Sequence, residues 1–187
     1  QQLLNLTKII NNYFVITTNV DAFFERNGFD TSRVYTPQGD YGRLQCQKPC
    51  SNQTWPSEPV IRGLLPMVDT ETWRLPRHLV PSCPNCGGPV FYNVRGGSWF
   101  VDSPYAGRES VFADWIRDNQ KKDLLLLDIG TGYNTPVWIR WPFEKIAHLT
   151  PRARLVRINK EDCHVPPEIE DQCLGFANRA ADVIQAV

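Results

Sequence analysis

Four cysteines, arranged as two closely spaced pairs, carry the clearest chemistry in this sequence. Three residues separate Cys46 from Cys50, two separate Cys83 from Cys86, and 32 residues lie between the pairs. Two such pairs can surround one tetrahedral ion, and Zn²⁺ is the ion that best suits four thiolates. Two glycines follow Cys86 and allow the tight turn of a zinc knuckle. The alternative is two disulfide bonds, which a sequence with no sign of export disfavours.

Polar residues that could bind a ligand follow three segments with the apolar composition of buried strands. A parallel sheet binds ligands at the carboxyl ends of its strands, so these groups can meet one extended polar ligand there. Backbone N–H groups and small hydroxyls would supply the contacts. The alternative for the glycine-containing group is a simple strand-to-helix turn. The three groups are Thr18, Asn19 and Asp21; Gly130, Thr131 and Gly132; and Asn159 and Lys160.

Apolar periodicity predicts the elements that would position these residues. Before the cysteines we expect a helix over 1–11, a buried strand over 13–17, a short helix from Asp21 through Asn27, and a strand at Val34 and Tyr35. After them we expect extended segments over 90–94 and 99–101, a helix over 109–120, a strand over 123–129, a helix that opens at residues 134–136, a strand over 154–158 and a helix over 175–186. This order predicts an α/β fold in which helices cover a parallel sheet.

The composition excludes several classes of protein. Twenty basic residues balance twenty acidic ones, whereas a nucleic-acid-binding domain normally has a basic surplus. Zero net charge therefore argues against a zinc-ribbon protein that binds nucleic acid. No apolar run is long enough to cross a membrane, and no leader is apparent, so we expect a cytoplasmic protein. We expect Cys163 and Cys173, which lie outside the two pairs, to be free thiols.

Taken together, these residues resemble the sirtuin family. Sirtuins contact NAD through a T-x-N-[IV]-D motif, a Gly-Thr loop and an L-x-x-I-N strand, and they carry an inserted four-cysteine zinc ribbon. The corresponding segments here are TTNVD at 17–21, GTG at 130–132 and LVRIN at 155–159, in the same order along the chain. The resemblance covers nearly all 187 residues.

The resemblance implies a Rossmann-like parallel sheet with helices on both faces and an inserted zinc-ribbon module. The NAD-binding domain would comprise residues 1–41 and 90–187, and the zinc module would comprise 42–89. NAD would be the co-substrate, and Zn²⁺ would be structural. The implied NAD-binding residues are Thr17, Thr18, Asn19, Asp21, Gln38, Gly130, Thr131, Gly132, Asn134, Asn159, Lys160 and Asp182.

Departures from the common sirtuin pattern indicate a subclass. Most sirtuins have a His-Gly pair after the second strand, with the His as general base, whereas this chain has Gln38 followed by Gly39. With NTP at 134–136 and RGG at 95–97, the sequence resembles the macrodomain-linked class M sirtuins. Those resemble protein mono-ADP-ribosyltransferases. The resemblance implies a lipoylated, glycine-cleavage-H-like carrier protein as acceptor and a macrodomain ADP-ribosyl hydrolase as functional partner.

The chemistry of glutamine favours transfer over deacylation. A Gln amide donates and accepts hydrogen bonds but does not take a proton at physiological pH. Cleavage of the nicotinamide–ribose bond depends on positioning and electrostatics more than on a base. We therefore assign Asn19 and Gln38 as catalytic candidates. An inactive NAD- or ADP-ribose-binding module and a lysine deacylase stay as alternatives, although residues 93–97 lack the apolar clamp of deacylases.

Two further expectations concern Arg95 and the beginning of the chain. Arg95 is either a surface arginine in a turn or a guide for an acidic acceptor or an NAD phosphate. Sirtuins begin with a Gly-Ala-Gly-x-Ser strand-loop-helix that cradles the pyrophosphate, and this chain contains no such motif. We therefore expect these residues to lack the N-terminal third of the family domain and about half of the NAD site.

Overall fold

The structure, a computed structural model, describes residues 1–10 and 12–185. Helices and strands are interspersed along the chain, with irregular segments concentrated in its middle. The first half contains α1 (Gln2–Ile10), β1 (Val15–Ile16), α2 (Phe23–Arg26), β2 (Val34–Tyr35), β3 (Gly39–Cys46), β4 (Thr54–Pro56), α3 (Glu58–Leu64) and β5 (Val90–Val94). The second half contains α4 (Arg108–Asn119), β6 (Leu124–Ile129), α5 (Arg140–Leu149), β7 (Ala153–Ile158), β8 (Cys173–Phe176) and α6 (Ala180–Gln185).

The strands form three small sheets. Strands β6, β7 and β8 are parallel with β7 in the centre, and β1 and β2 form a second parallel pair. The third sheet is antiparallel, in the order β4-β3-β5, and carries the first cysteine at the end of β3. The predicted α/β class with parallel strands is confirmed, and the antiparallel sheet is additional to it.

The largest apolar core lies between the parallel sheet and α5. Residues 139, 143 and 147 are buried at spacings of four, so they lie on one face of the helical segment. They pack against Leu155 and Ala153, whose side chains are fully buried on the central strand β7. Because β7 pairs on both sides, it holds the loops that follow β6 and β7 in a fixed relation.

The first half of the chain confirms most of the predicted pattern. Helix α1 ends at Ile10, and Asn11 lies outside the described residues. The carboxylate of Asp21 accepts a hydrogen bond from the N–H of Phe23 at 3.0 Å, and Gly28 follows α2 with a φ of 86°. This left-handed conformation is the one that lets glycine end a helix. Strand β2 has the predicted bounds.

The prediction of a helix over residues 175–186 is wrong at its beginning. Residues Cys173–Phe176 form β8, helix α6 begins at Ala180, and residue 186 lies outside the described part. A Cβ at Gly175 would come within 2.5 Å of the Cys163 carbonyl oxygen. The glycine therefore permits a close backbone approach, and the strand satisfies the backbone groups on the open edge of β7.

The prediction that a helix opens at residues 134–136 is also wrong. Helix α5 begins at Arg140, and residues 136–139 form turns. There the N–H of Trp141 donates to the carbonyl of Pro136 at 3.0 Å, five residues earlier. A regular α-helix requires a partner four residues earlier, so the wider turn delays the helix.

The antiparallel sheet was not predicted, because its strands lack a clear apolar alternation. Strand β3 has the sequence GDYGRLQC and gains its order by pairing with β4 and β5. Residues 99–101, predicted to be extended, form no strand. Instead the N–H of Val101 donates to the side-chain oxygen of Gln45 at 3.0 Å. No helix in the described ranges is long and apolar enough to cross a membrane.

Replacing Leu155 by Ala should destabilise the fold substantially. The side chain is fully buried, and deleting buried methyl groups costs about 2–5 kcal/mol of the free energy of unfolding. The matched control is Leu125→Ala on β6, where the side chain is half exposed and the expected cost is about 0.5 kcal/mol. Urea denaturation of both variants measures the difference; equal midpoints would contradict this assignment of the core.

Candidate functional site

The four cysteines predicted to bind a metal come together in the structure. The sulfur atoms of Cys46, Cys50, Cys83 and Cys86 all lie within 4.8 Å of one another. Cys46 Sγ is 3.7 Å from Cys86 Sγ, and Cys50 Sγ is 3.6 Å from Cys83 Sγ. These separations exceed the S–S bond of about 2.05 Å, and all four are free thiols, so the disulfide alternative is wrong here.

The cluster has the geometry of a closed zinc site. Zn–S bonds of about 2.3 Å place the sulfurs of a tetrahedral site about 3.8 Å apart, close to the distances above. The second pair sits in a knuckle in which the N–H of Gly87 donates to Cys83 O at 2.8 Å and the N–H of Cys83 donates to Gly88 O at 2.7 Å. Four thiolates complete a tetrahedral coordination sphere, so a bound Zn²⁺ would have no position for a reactive water.

The protein environment favours the ionised form of one of these thiols. The backbone N–H of Cys86 beside the Cys83 sulfur lowers the pKa of that thiol to about 7. The hydrogen bond to Cys83 raises the pKa of the Cys50 thiol to about 12. The four neighbouring thiols therefore differ in how readily they lose a proton. A bound divalent cation would neutralise the repulsion between thiolates and allow all four to be ionised.

A cavity of about 690 Å³ brings two of the three predicted polar groups together. Thr17, Thr18 and Asn19 line it after β1, and residues 130–132 with Asn134 line it after β6. The rest of its wall is mainly apolar and comes from α1, α4, β1 and β6. The cavity is therefore mainly apolar, with polar groups at the carboxyl ends of the two strands and with Lys122 and Asp123 lining it before β6.

The other predicted NAD-binding residues do not line this cavity. Asp21 engages the N–H of Phe23, as described above, and Lys160 is exposed. Asp182 is exposed in α6, a helix that packs near α1. Asn159 lies beside the cavity, where its side chain donates to the carbonyl of the lining residue Thr131. Gln38 is not among the residues that line the cavity; its carbonyl accepts from the backbone N–H of Arg95.

Gln38 sits in a turn whose shape is fixed by glycine. Gly39 has a φ of 82°, and a Cβ there would lie 2.0 Å from the Asn93 carbonyl oxygen. The N–H of Tyr41 donates to Val20 O at 2.8 Å, which ties the segment after Asn19 to the strand that follows Gln38. The two predicted catalytic residues are therefore carried by directly connected backbone segments.

Arg95 is held beside Gln38 and is not a loose surface arginine. The backbone N–H of Arg95 donates to Gln38 O at 2.9 Å, and the side-chain Nε donates to Pro37 O at 3.0 Å. The guanidinium carbon lies 4.3 Å from the ring centre of Phe100 and 5.3 Å from that of Trp138. Two aromatic rings and one carbonyl thus orient an exposed cation beside Gln38.

The side chains of Thr131 and Asn159 shape the loops that carry them. The Thr131 hydroxyl donates to Asp128, and Asn159 Nδ2 donates to Thr131 O at 3.0 Å. Asn159 Oδ1 accepts from the N–H groups of Glu161 and Asp162, both at 3.0 Å. The two predicted ligand residues therefore join the loops after β6 and β7 to each other.

Sequence reasoning missed a buried ionic cluster behind these loops, formed by Asp128, Arg140, Glu144 and Arg157. Asp128 and Arg157 face each other in register on β6 and β7, with Arg157 Nε donating to Asp128 Oδ2 at 2.7 Å. An acid and a base at the same position of two mainly apolar strands is the signal that could have revealed the pair.

Purified protein should contain one zinc per chain, and Cys83→Ser should lose the metal and unfold the cysteine module. Three remaining thiolates leave the coordination sphere incomplete, and binding free energy at such a site is also folding free energy. Cys163→Ser is the matched control, because Cys163 lies outside the cluster. Elemental mass spectrometry measures the metal content; less than one zinc per chain in well-folded protein would refute a structural site.

Comparison with known proteins gives two relatives in sequence, although no protein-family model matches. A Fusarium oxysporum f. sp. cubense protein named "Probable bifunctional ADP-ribose hydrolase/ADP-ribosyltransferase" is 36% identical over 168 residues, 87% of this chain and 28% of that protein. A Staphylococcus aureus protein named "Protein ADP-ribosyltransferase" is 27% identical over 174 residues, 92% of this chain and 55% of that protein. The chain thus spans about half of the second relative and less than a third of the first.

Among solved structures, a mutant Sir2 homologue in complex with ADP-ribose matches 99% of this chain and 62% of its own, with a TM-score of 0.58 and 16% identity. At this identity the likeness concerns the fold. The chain therefore has a sirtuin-like fold, and its homologues are named as protein ADP-ribosyltransferases.

Proposed function

We propose that the protein containing this chain transfers ADP-ribose from NAD to a protein acceptor. The observation that carries the proposal is the chemistry of the polar end of the cavity. Residues 17–19 and 130–135 offer hydroxyls, amides and backbone N–H groups there, and none has a carboxylate or an imidazole. Such a lining can hold a sugar in place but cannot take a proton from it. The names of the two relatives support the same reaction.

Asn19 and Gln38 are the proposed catalytic residues. Their amides would hydrogen-bond the ribose next to nicotinamide and fix it for in-line attack. In the reaction the bond between ribose C1′ and the nicotinamide nitrogen breaks, nicotinamide leaves with the electron pair, and an acceptor atom bonds to C1′ and releases its proton to solvent. Amide oxygens near C1′ would stabilise the positive charge that develops on the sugar.

The remaining predicted residues would bind the rest of NAD. The backbone of Gly130, Thr131 and Gly132 and the side chain of Asn134 would face the adenosine half. A Cβ at Gly132 would lie 3.3 Å from Asp162 Oδ2, so this loop has little room for a side chain. Asp21, Asn159, Lys160 and Asp182 stay predictions, with Asn159 acting through the shape of the loop.

Arg95 is the proposed guide for the acceptor. Its terminal nitrogens form a planar donor pair that matches a carboxylate or a phosphate. The resemblance to class M sirtuins favours a lipoylated, glycine-cleavage-H-like carrier protein as acceptor. The name of the fungal relative joins a hydrolase of ADP-ribose to a transferase, which supports a macrodomain hydrolase as functional partner.

The geometry of β5 argues against lysine deacylation. Asn93 is fully buried, and its Nδ2 donates inward to Gln45 Oε1 at 2.7 Å and to Val101 O at 2.8 Å. Residues 96 and 97 are exposed glycines, with Arg95 before them. This segment therefore presents a cation and bare backbone where an acyl chain would need an apolar clamp.

Asn19→Ala in the full-length protein should abolish transfer, and Gln38→Ala should lower its rate by about 10²-fold, because each variant removes a positioning contact. Gln120→Ala, an exposed amide at the end of α4, is the matched control and should leave the rate unchanged. The measurement is labelling of acceptor from radioactive NAD at saturating substrate. Full activity of Asn19→Ala would refute its catalytic role.

A parallel assay distinguishes the candidate reactions. The full-length protein receives NAD with either a lipoylated carrier protein or an acetyl-lysine peptide, and we expect labelling of the carrier with little deacetylation. Gln38→His restores a possible base, yet it should not produce efficient deacetylation, because residues 93–97 still lack the clamp. Rapid deacetylation of the peptide with no labelling of the carrier would identify a lysine deacylase. NAD binding without turnover would identify a binding module.

A further inference from the structure

Four charged side chains lie behind the loops after β6 and β7, in a cluster that is almost closed to solvent. Arg157, Asp128 and Arg140 are at most 1% exposed, and the Glu144 side chain is 17% exposed. Two positive and two negative charges balance. Burial of charge in this way costs free energy unless the partners are close and well hydrogen-bonded, so the cluster requires a specific reason for its position.

Arg140 uses its guanidinium to tie two loops together. In the loop after β6 the acceptors are the Thr131 carbonyl at 3.1 Å and the Tyr133 hydroxyl at 3.0 Å. In the loop after β7 they are the carbonyls of Asp162 at 2.9 Å and His164 at 3.0 Å. One buried side chain therefore makes four hydrogen bonds that are divided equally between the two loops.

The rest of the cluster fixes Arg140 and the same loops. Glu144 Oε1 lies 3.6 Å from Arg140 Nε and accepts from Arg157 Nη1 at 2.8 Å. Arg157 Nη1 also donates to His164 O at 2.8 Å, and Asp128 accepts from the Thr131 hydroxyl. The carboxylates thus neutralise the two guanidiniums while both loops remain attached to them.

Tyr133 completes the connection at the surface. Its ring centre lies 4.2 Å from the Arg140 guanidinium carbon, and its hydroxyl is 2.6 Å from His164 Nε2. Arg140 donates to the same hydroxyl oxygen, so one phenol group contacts both the guanidinium and the imidazole. The outer parts of the two loops are therefore held by the same network as their bases.

We propose that Arg140 is a positioning residue for the nucleotide: it holds residues 130–134 and 159–164 in the conformation that receives the ADP-ribose part of NAD. The inference rests on the proposed function. It assigns Arg140 no contact with the substrate, because both terminal nitrogens already donate to the loops and Nε faces Glu144 at 3.6 Å. Lysine cannot replace it, since one ammonium cannot reproduce a planar fork that spans two loops.

The test compares Arg140→Lys with Arg117→Lys in the full-length protein. Arg117 is an exposed arginine of α4 that pairs with Asp114, so its replacement controls for loss of a guanidinium. We expect Arg140→Lys to raise the KM for NAD about tenfold or more, with little change in the KM for the acceptor. Amide hydrogen exchange in 130–134 and 159–164 should accelerate without nucleotide, and millimolar methylguanidinium should partly restore the KM of an Arg140→Ala variant.

The outcomes separate the inference from the proposed function. Absence of NAD-dependent transfer by the wild-type protein refutes the proposed function. The role of Arg140 is then tested by the affinity for ADP-ribose, measured by calorimetry, in place of the KM for NAD. A folded Arg140→Lys protein with unchanged NAD KM, or unchanged ADP-ribose affinity, overturns the positioning role. So does unchanged hydrogen exchange in both loops. An equal increase of both KM values together with a general loss of stability also overturns it, because that pattern indicates a merely structural residue.

Discussion

A buried ion pair between Asp128 and Arg157 joins the two longest parallel strands near the ends that carry the candidate site. The residues face each other in register and are connected by a 2.7 Å hydrogen bond. Removal of one partner from such a pair leaves an uncompensated buried charge, which costs about 3–5 kcal/mol. The pair therefore constrains everything nearby: Glu144 must balance Arg140, and the loops must supply carbonyls to the remaining N–H groups. The conformation of the site follows from this requirement as much as from its glycines.

A second constraint connects the metal cluster with the other side of the site. Strand β3, eight residues long, begins immediately after Gln38 and ends at Cys46, so it connects the two. The buried Gln45 side chain accepts from Asn93 and donates to Trp99 O at 2.8 Å, which fixes the segment that includes Arg95. The cysteine module and the Gln38–Arg95 pair are thus parts of one hydrogen-bonded unit. A structural metal can influence this site through β3 without approaching it.

The features that the sequence predicted well have strong local signals. An apolar run such as LLLLDI favours a strand, and the spacing of the cysteines reflects the reach of a tetrahedral ion. The errors concern segments whose partners are distant in sequence. Strand β8 forms because β7 has an open edge, and β3 forms because β5 lies about fifty residues later. Arg140 was not singled out in the sequence, since nothing local shows that four carbonyl and hydroxyl groups from two loops surround it.

The distribution of charge gives the candidate site its chemical character. Guanidiniums and carboxylates lie behind the loops in a balanced cluster, while the residues that line the cavity after β1 and β6 offer neutral amides, hydroxyls and backbone groups. Opposite charges within about 4 Å cancel most of each other's field at longer range, so the cluster provides rigidity with little electrostatic bias at the strand ends. A sugar that becomes positively charged during bond cleavage would then interact mainly with oriented dipoles. Preorganised dipoles of this kind stabilise a transition state without having to reorient. A glutamine at position 38 fits this arrangement, because it would add another fixed dipole where a histidine would add a titrating charge.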